Sequence, residues 1–239
     1  MSSPLRLSCS VALLDIEGTV SPLAFVRDVM FPFAAERLDT FVERHWLDSA
    51  VVEIASQVAR DTDNTLLRTP ADLVAACRAL MARDAKATGL KALQGLIWDE
   101  GFRSGALRPP LFEDVPETLR LWRQLGVVLS IYSSGSIGAQ IQFFRHAEAG
   151  DLTALFTRHF DTTTGPKKVS SSYSAIAKEL GVATNQVAFF SDIVDELDAA
   201  RQAGMMTVLV ERPGNPPVSA NGHPALRDFR EVVWNLPVR

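Results

Sequence analysis

Apolar residues first crowd together over residues 8–16, Ser-Cys-Ser-Val-Ala-Leu-Leu-Asp-Ile, a short strand-like run that breaks at Gly18-Thr19. The period then changes. From about Ala24 to Leu107 apolar positions recur near helical spacing, as at Phe33, Leu38, Phe41 and Val42. Residues 49–61 and 69–87 continue the helical pattern, the second opened by Thr69 as N-cap with Pro70 at the first helical position. A further helix is predicted over 90–105, stopping near Gly101 or Gly105. Arg-Pro-Pro-Leu-Phe at 108–112 then punctuates the chain. After it the pattern predicts a helix over 115–126 and a strand from 127 running into Ser-Ser-Gly-Ser at 133–136. Helices over 137–147 and 172–181, a strand over 186–192, a helix over 194–204 and a last strand from 206 follow.

Strands alternating with helices of this length argue for βαβ units around a parallel sheet. The helical block interrupts that alternation after its first strand, so it reads as an insertion. The expected fold class is therefore α/β: a Rossmann-like doubly wound parallel sheet, residues 1–22 and 108–239, with an inserted α-helical cap at 23–107 that forms a lid.

Composition narrows the picture by exclusion. A chain of 239 residues that is 47% hydrophobic and 22% charged is ordinary for a soluble globular protein. With a net charge of −4 it carries no overall basic field, so neither nucleic acid nor a membrane surface is an expected partner. No apolar run approaches the ~20 residues that span a bilayer, and the N-terminus does not read as a signal peptide. A cytoplasmic location is expected. Cys9 and Cys77 lie far apart and form no C-x-x-C, which suits two buried thiols in a reducing compartment. His45, His146, His159 and His223 lack the spacing of a zinc site. No coiled-coil heptads occur, and a monomer is expected.

The chemistry gathers where predicted strands end. In an open parallel sheet ligands bind outside the carboxyl ends of the strands. Here those ends carry Asp15, the pair Ser133 and Ser134, and Asp192, while Gly-Pro-Lys-Lys at 165–168 adds cations before a helix. That set suits phosphoryl transfer. A phosphate monoester is anionic, and Mg²⁺ between a carboxylate and phosphate oxygens screens the attack. Asp15 as nucleophile forms an aspartyl-phosphate and divides one hard hydrolysis into two steps. Hydroxyls and backbone N–H groups at 133–135 hold phosphate oxygens, and a lysine supplies positive charge to the transition state. Glu17, two residues on, points the same way on an extended strand and is suited to proton transfer. Lys167 and Lys168 are both candidates for the lysine.

Asp-Ile-Glu-Gly-Thr at 15–19, the strand-end serines, the lysine and the acidic loop at 191–196 together resemble the haloacid-dehalogenase-like hydrolase superfamily. Most of that superfamily has Asp where this chain has Glu17. The glutamate, with Ala-Phe-Val-Arg-Asp-Val-Met-Phe-Pro-Phe after it, resembles the enolase-phosphatase (acireductone synthase) branch. Further similar stretches lie at 90–105, 131–136, 159–162, 170–173, 189–200 and 211–215, so the resemblance runs from Val11 to about Asn215. It implies Asp15 as nucleophile and metal ligand, and Glu17 as acid/base and as a metal ligand through its backbone carbonyl. It implies Ser133 and Ser134 on the substrate phosphate, and Asp192 completing the site for one Mg²⁺ per subunit. The family pattern, Gly-x-Lys with Ser-Tyr five and six residues later, selects Lys167.

The implied substrate is a small phosphate ester, 2,3-diketo-5-methylthiopentyl-1-phosphate of methionine salvage. It is enolised and then dephosphorylated to the acireductone 1,2-dihydroxy-3-keto-5-methylthiopentene. The group that takes the carbon-bound proton stays open among Glu17, Glu100 and Arg103. Trp98 belongs to the cap core and is a candidate to line the methylthio site. Asp195 and Glu196 read as acids favoured by a helix N-terminus. The loop at 212–224 carries no assignable chemistry. The rival functions are a related phosphatase for another ester, a metal-independent dehalogenase, and a non-catalytic binding module.

Overall fold

The computed structural model describes residues 4–63 and 67–236. The chain divides into two compact units, Met1–Phe25 with Arg108–Arg239, and Val26–Leu107. In the first, β1 (Leu5–Leu7) leads to β2 (Val11–Leu14), whose four residues are all buried. A strand covered on both faces is what a continuous apolar run in a parallel sheet produces. After a short helix α1 (Leu23–Phe25), the second unit follows.

That unit starts with a π-helical turn, Val26–Met30, followed by α2 (Phe31–His45), α3 (Ser49–Asp61), α4 (Pro70–Ala82) and α5 (Thr88–Arg103). Leu38, Val42, Val58, Leu73, Cys77 and Leu93 fill its core. The start of α4 follows from local chemistry. Thr69 Oγ1 accepts from the Asp72 N–H at 3.2 Å, and the Asp72 carboxylate accepts from the Thr69 N–H at 2.9 Å, a reciprocal capping box. Trp98 is half-buried, and its indole N–H donates to the Met30 carbonyl at 2.7 Å, where the π-turn meets α2.

The first unit resumes with α6 (Val115–Gln124), β3 (Val128–Tyr132), α7 (Ile137–Arg145), β4 (Phe156–Phe160) and α8 (Ser170–Glu179). It ends with β5 (Val187–Ser191), α9 (Val194–Gln202), β6 (Met206–Val210), β7 (Ala225–Leu226) and β8 (Val232–Trp234). Six strands form a parallel sheet in the order β4-β3-β2-β5-β6-β7, and β1 pairs with β8 apart from it. Progression goes one way from β2 through β3 to β4, then restarts on the other side with β5. This reversal beside β2 is a topological switch point, where the loops at the carboxyl ends of the strands diverge and leave a crevice.

Alternate side chains serve opposite faces of the sheet. Val11, Leu13 and Phe189 join Tyr132, Phe160, Tyr173 and Ile176 in one core cluster. On the other face Phe190 packs on Trp122, which also meets Phe229 and Trp234, with ring centroids 5.2–5.5 Å apart.

The strand from 206 is not the last, since β7 and β8 follow it, and β4 and β1 also lie outside the predicted strands. These four are edge or ribbon strands. β4, Phe-Thr-Arg-His-Phe, exposes its middle and buries only its ends, so it shows no apolar run to detect.

Candidate active site

β2 stops at Leu14, and the chain then wraps around one carbonyl. Ile16 O accepts from the N–H groups of Thr19, Val20 and Ser21 at 3.0–3.3 Å. The pleat of a strand therefore does not aim Glu17, as the extended-strand expectation had it; this tight loop does. Asp15 is anchored by its own N–H, which donates to Phe190 O at 3.0 Å across the β2–β5 seam. Its buried carboxylate sits at the switch point.

Lys167 reaches it from the loop between β4 and α8. Its Nζ lies 2.7 Å from Asp15 Oδ1 and 2.7 Å from a Glu196 carboxylate oxygen, and all three side chains are buried. Burial opposes the ammonium charge, but Asp15 and Glu196 outweigh it and raise the Lys167 pKa above its ordinary value. The neighbouring Lys168 is exposed and pairs with the exposed Asp195 at 2.7 Å.

What separates two adjacent lysines is the Ser-Tyr that follows. Ser172 Oγ donates to Pro166 O at 2.8 Å and the Tyr173 hydroxyl donates to Lys167 O at 2.6 Å, which pins the loop with residue 167 facing inward. The Tyr132 hydroxyl secures the same loop through Gly165 O at 2.8 Å.

Ser133 is buried at the end of β3, where its N–H donates to Phe160 O, and Ser134 beside it is exposed. Gln140 braces this serine loop: its buried amide donates to both Gly135 O and Phe160 O at 2.8 Å.

Asp192 follows β5. Burial first, then the charge of Asp15, pushes its carboxyl up to about 7. Glu17 is raised by burial and by Asp15, with Lys167 opposing, and Glu196 is raised by the same two main causes. Three carboxyl groups, Glu17, Asp192 and Glu196, thus feel both the charge of Asp15 and the one ammonium. Glu196 is more than a helix-dipole acid, since it accepts from Ser191 Oγ at 3.0 Å and closes the ion pair with Lys167. Nothing in its local sequence separates it from Asp195, apart from the helical spacing that turns it inward.

Asp192 Oδ1 is buried and accepts no hydrogen bond from the described residues. An acceptor of that kind, in a field of excess negative charge, fits a cation. Among the described residues no group of three or more His, Cys, Asp or Glu forms an all-side-chain cage. Mg²⁺ needs none, because it uses one or two carboxylates and keeps several waters. Gly18 lies against this corner at φ +72°, and a Cβ there would stand 2.7 Å from Asp192 Cγ. Gly18→Ala is expected to cost about 1–3 kcal/mol through left-handed strain and that collision. Denaturant unfolding checks it, and a loss under roughly 0.5 kcal/mol would mean that the carboxylate yields freely.

A parallel sheet with its nucleophile-type aspartate, lysine and acidic loop converging at the switch point defines a haloacid dehalogenase-like hydrolase, and that family's profile matches residues 10–204. Among curated relatives, Enolase-phosphatase E1 of Pseudomonas aeruginosa (strain UCBPP-PA14) is 44% identical over 230 residues, covering 95% of this chain and 99% of that protein. Enolase-phosphatase E1 of Sorangium cellulosum (strain So ce56) is 43% identical over 228 residues, with 95% and 98% covered. The crystal structure of the UTR4 protein of Saccharomyces cerevisiae superposes with a TM-score of 0.81 at 32% identity, covering 93% of this chain and 99% of that one. The chain belongs to the enolase-phosphatase E1 family within the haloacid dehalogenase-like hydrolases, and is a phosphatase. No helix among the described residues is long and apolar enough to cross a membrane.

Proposed function

We propose that this protein converts 2,3-diketo-5-methylthiopentyl-1-phosphate to the acireductone 1,2-dihydroxy-3-keto-5-methylthiopentene, by enolisation and then dephosphorylation, as a step of methionine salvage. The observation that carries the phosphatase half is the buried contact of Lys167 with Asp15 at 2.7 Å. It sets a carboxylate nucleophile beside a fixed positive charge. The similarity to proteins named enolase-phosphatase E1, over nearly their whole length, supports the choice of substrate.

In this reading an Asp15 carboxylate oxygen bonds to phosphorus while the P–O bond to the substrate carbon breaks. Glu17, whose carboxyl is held above the usual range by burial, gives its proton to the leaving oxygen. Water then attacks the aspartyl-phosphate, Glu17 takes back a proton, and inorganic phosphate leaves with Asp15 restored. Lys167 neutralises charge on the transferring oxygens, Ser133 and Ser134 hold them, and Glu196 keeps Lys167 in place. Asp15, Asp192 and the Glu17 carbonyl are the donors that would hold one Mg²⁺. When bound, that ion supplies electrostatic screening of the phosphate. The helical unit is read as the cap domain of a core formed by residues 1–22 and 108–239.

Turnover of the diketo phosphate is the test. An absorbing enol is expected to appear before phosphate, with release lost in EDTA and restored by Mg²⁺. Phosphate released without acireductone would reassign the chain to another ester, and full activity in EDTA would remove the metal.

A further inference from the structure

The loop after β6, Arg-Pro-Gly-Asn, reaches both halves of the site. Arg212 is buried, and its Nε donates to Thr19 O at 2.9 Å while its Nη1 pairs with Asp114 at 2.8 Å. Three residues on, Asn215 Nδ2 donates to Gly18 O at 2.9 Å and to Asp192 Oδ2 at 3.1 Å. Both neighbours are acceptors, so the amide has one workable orientation, with its two N–H groups facing them. Each N–H has a single target: one secures the loop that carries Asp15 and Glu17, the other the carboxylate of Asp192.

We propose that Asn215 is a positioning residue for the Mg²⁺ site. By holding Asp192 Oδ2, it leaves Oδ1 of the same carboxylate to serve as a ligand, and by holding Gly18 O it fixes the distance between the two loops that supply the donors. The buried, unpartnered Asp192 Oδ1 is the observation that gives the contact this direction. An amide donor suits the task better than a cation: it orients the carboxylate without cancelling the negative charge that attracts the metal. The Asn215 Oδ1 atom is also buried without a partner, which leaves it available to a water carried by the ion.

The inference rests on the metal reading above, and calorimetric titration of the metal-free protein with Mg²⁺ separates the two. Asn215→Ala is expected to weaken Mg²⁺ binding by about 10- to 100-fold. Asn221→Gly serves as the comparison. Asn221 belongs to the same loop, has φ +48° and donates to Asp198 at 2.9 Å, so the change loosens the loop without touching the site. Its Mg²⁺ affinity is expected to stay that of the native protein. Equal losses in the two variants, or an Asn215→Ala affinity within twofold of native, overturn the positioning role. A native protein that binds no Mg²⁺ defeats the metal reading and the inference with it. Should Asn215→Ala fail to fold, NMR of the native protein reads the same contact. The Asn215 side-chain amide signal must shift in step with Mg²⁺ saturation, and an unmoved signal rejects the inference.

Discussion

Asp15→Asn is expected to reduce phosphate release by about 10⁴- to 10⁶-fold, the scale seen when an enzyme loses its nucleophile. The amide keeps the shape of the side chain but removes its negative charge, and with it the ability to attack phosphorus. Stability is expected to hold or to rise. Asp15 is buried in the company of Glu17, Asp192 and Glu196, and its charge helps drive the carboxyl pKa of each upward. Removing that charge relieves repulsion, while Lys167 keeps Glu196 as its partner at 2.7 Å. A site arranged for chemistry at the expense of stability behaves in this way. Release within tenfold of native, on any phosphate ester that the native protein turns over, would rule out Asp15 as the attacking group.

Lys167→Met gives the opposite signature, with activity and stability falling together. The substitution strands two buried carboxylates that each lie 2.7 Å from the lost ammonium. Breaking a buried pair from one side costs about 3–5 kcal/mol, because the remaining charge is left uncompensated. The deficit has a definite pH dependence. Without its partner, Glu196 keeps burial and Asp15 as causes that raise its folded pKa above the unfolded value. The folded state then binds its proton more tightly, so the penalty is present above the folded pKa and shrinks as pH falls through it. Denaturant unfolding at about pH 8 and about pH 5 should therefore give a smaller deficit at the lower pH. Lys168→Met is the matched comparison. Its ammonium is exposed and meets only the exposed Asp195, so neither activity nor unfolding should change measurably. If the two methionine variants behave alike, the charge beside Asp15 is not what the reaction uses.

The two lysines show where sequence reading ends. They are neighbours of identical chemistry, and only the pattern of the resembled family, with Ser172 and Tyr173 five and six residues on, marks Lys167. The folded chain supplies the cause, since those two hydroxyls hold the carbonyls of residues 166 and 167. Glu196 and Asn215 carry no such mark. One looks like an ordinary helix-start acid and the other sits in a proline-rich loop. Their importance depends on partners 29 and 23 residues away, Lys167 and Asp192, which no local pattern connects. Gln140 is similar: a polar residue on a helix, buried because the carbonyls of Gly135 and Phe160 need its amide.

By itself the sequence determined what short-range physics decides. Residues 49–61 read as a helix and form α3, Thr69 and Pro70 start α4, and the buried runs that become β2, β3 and β5 each lead into a candidate site residue. Periodicity, capping and turn chemistry act within a few residues, so they are written locally. Only the tertiary structure decided the edge strands, the turn that aims Glu17, and which carboxylates share one ammonium. Those outcomes come from strand order and loop packing across the switch point beside β2, where backbone pairing joins segments more than 100 residues apart.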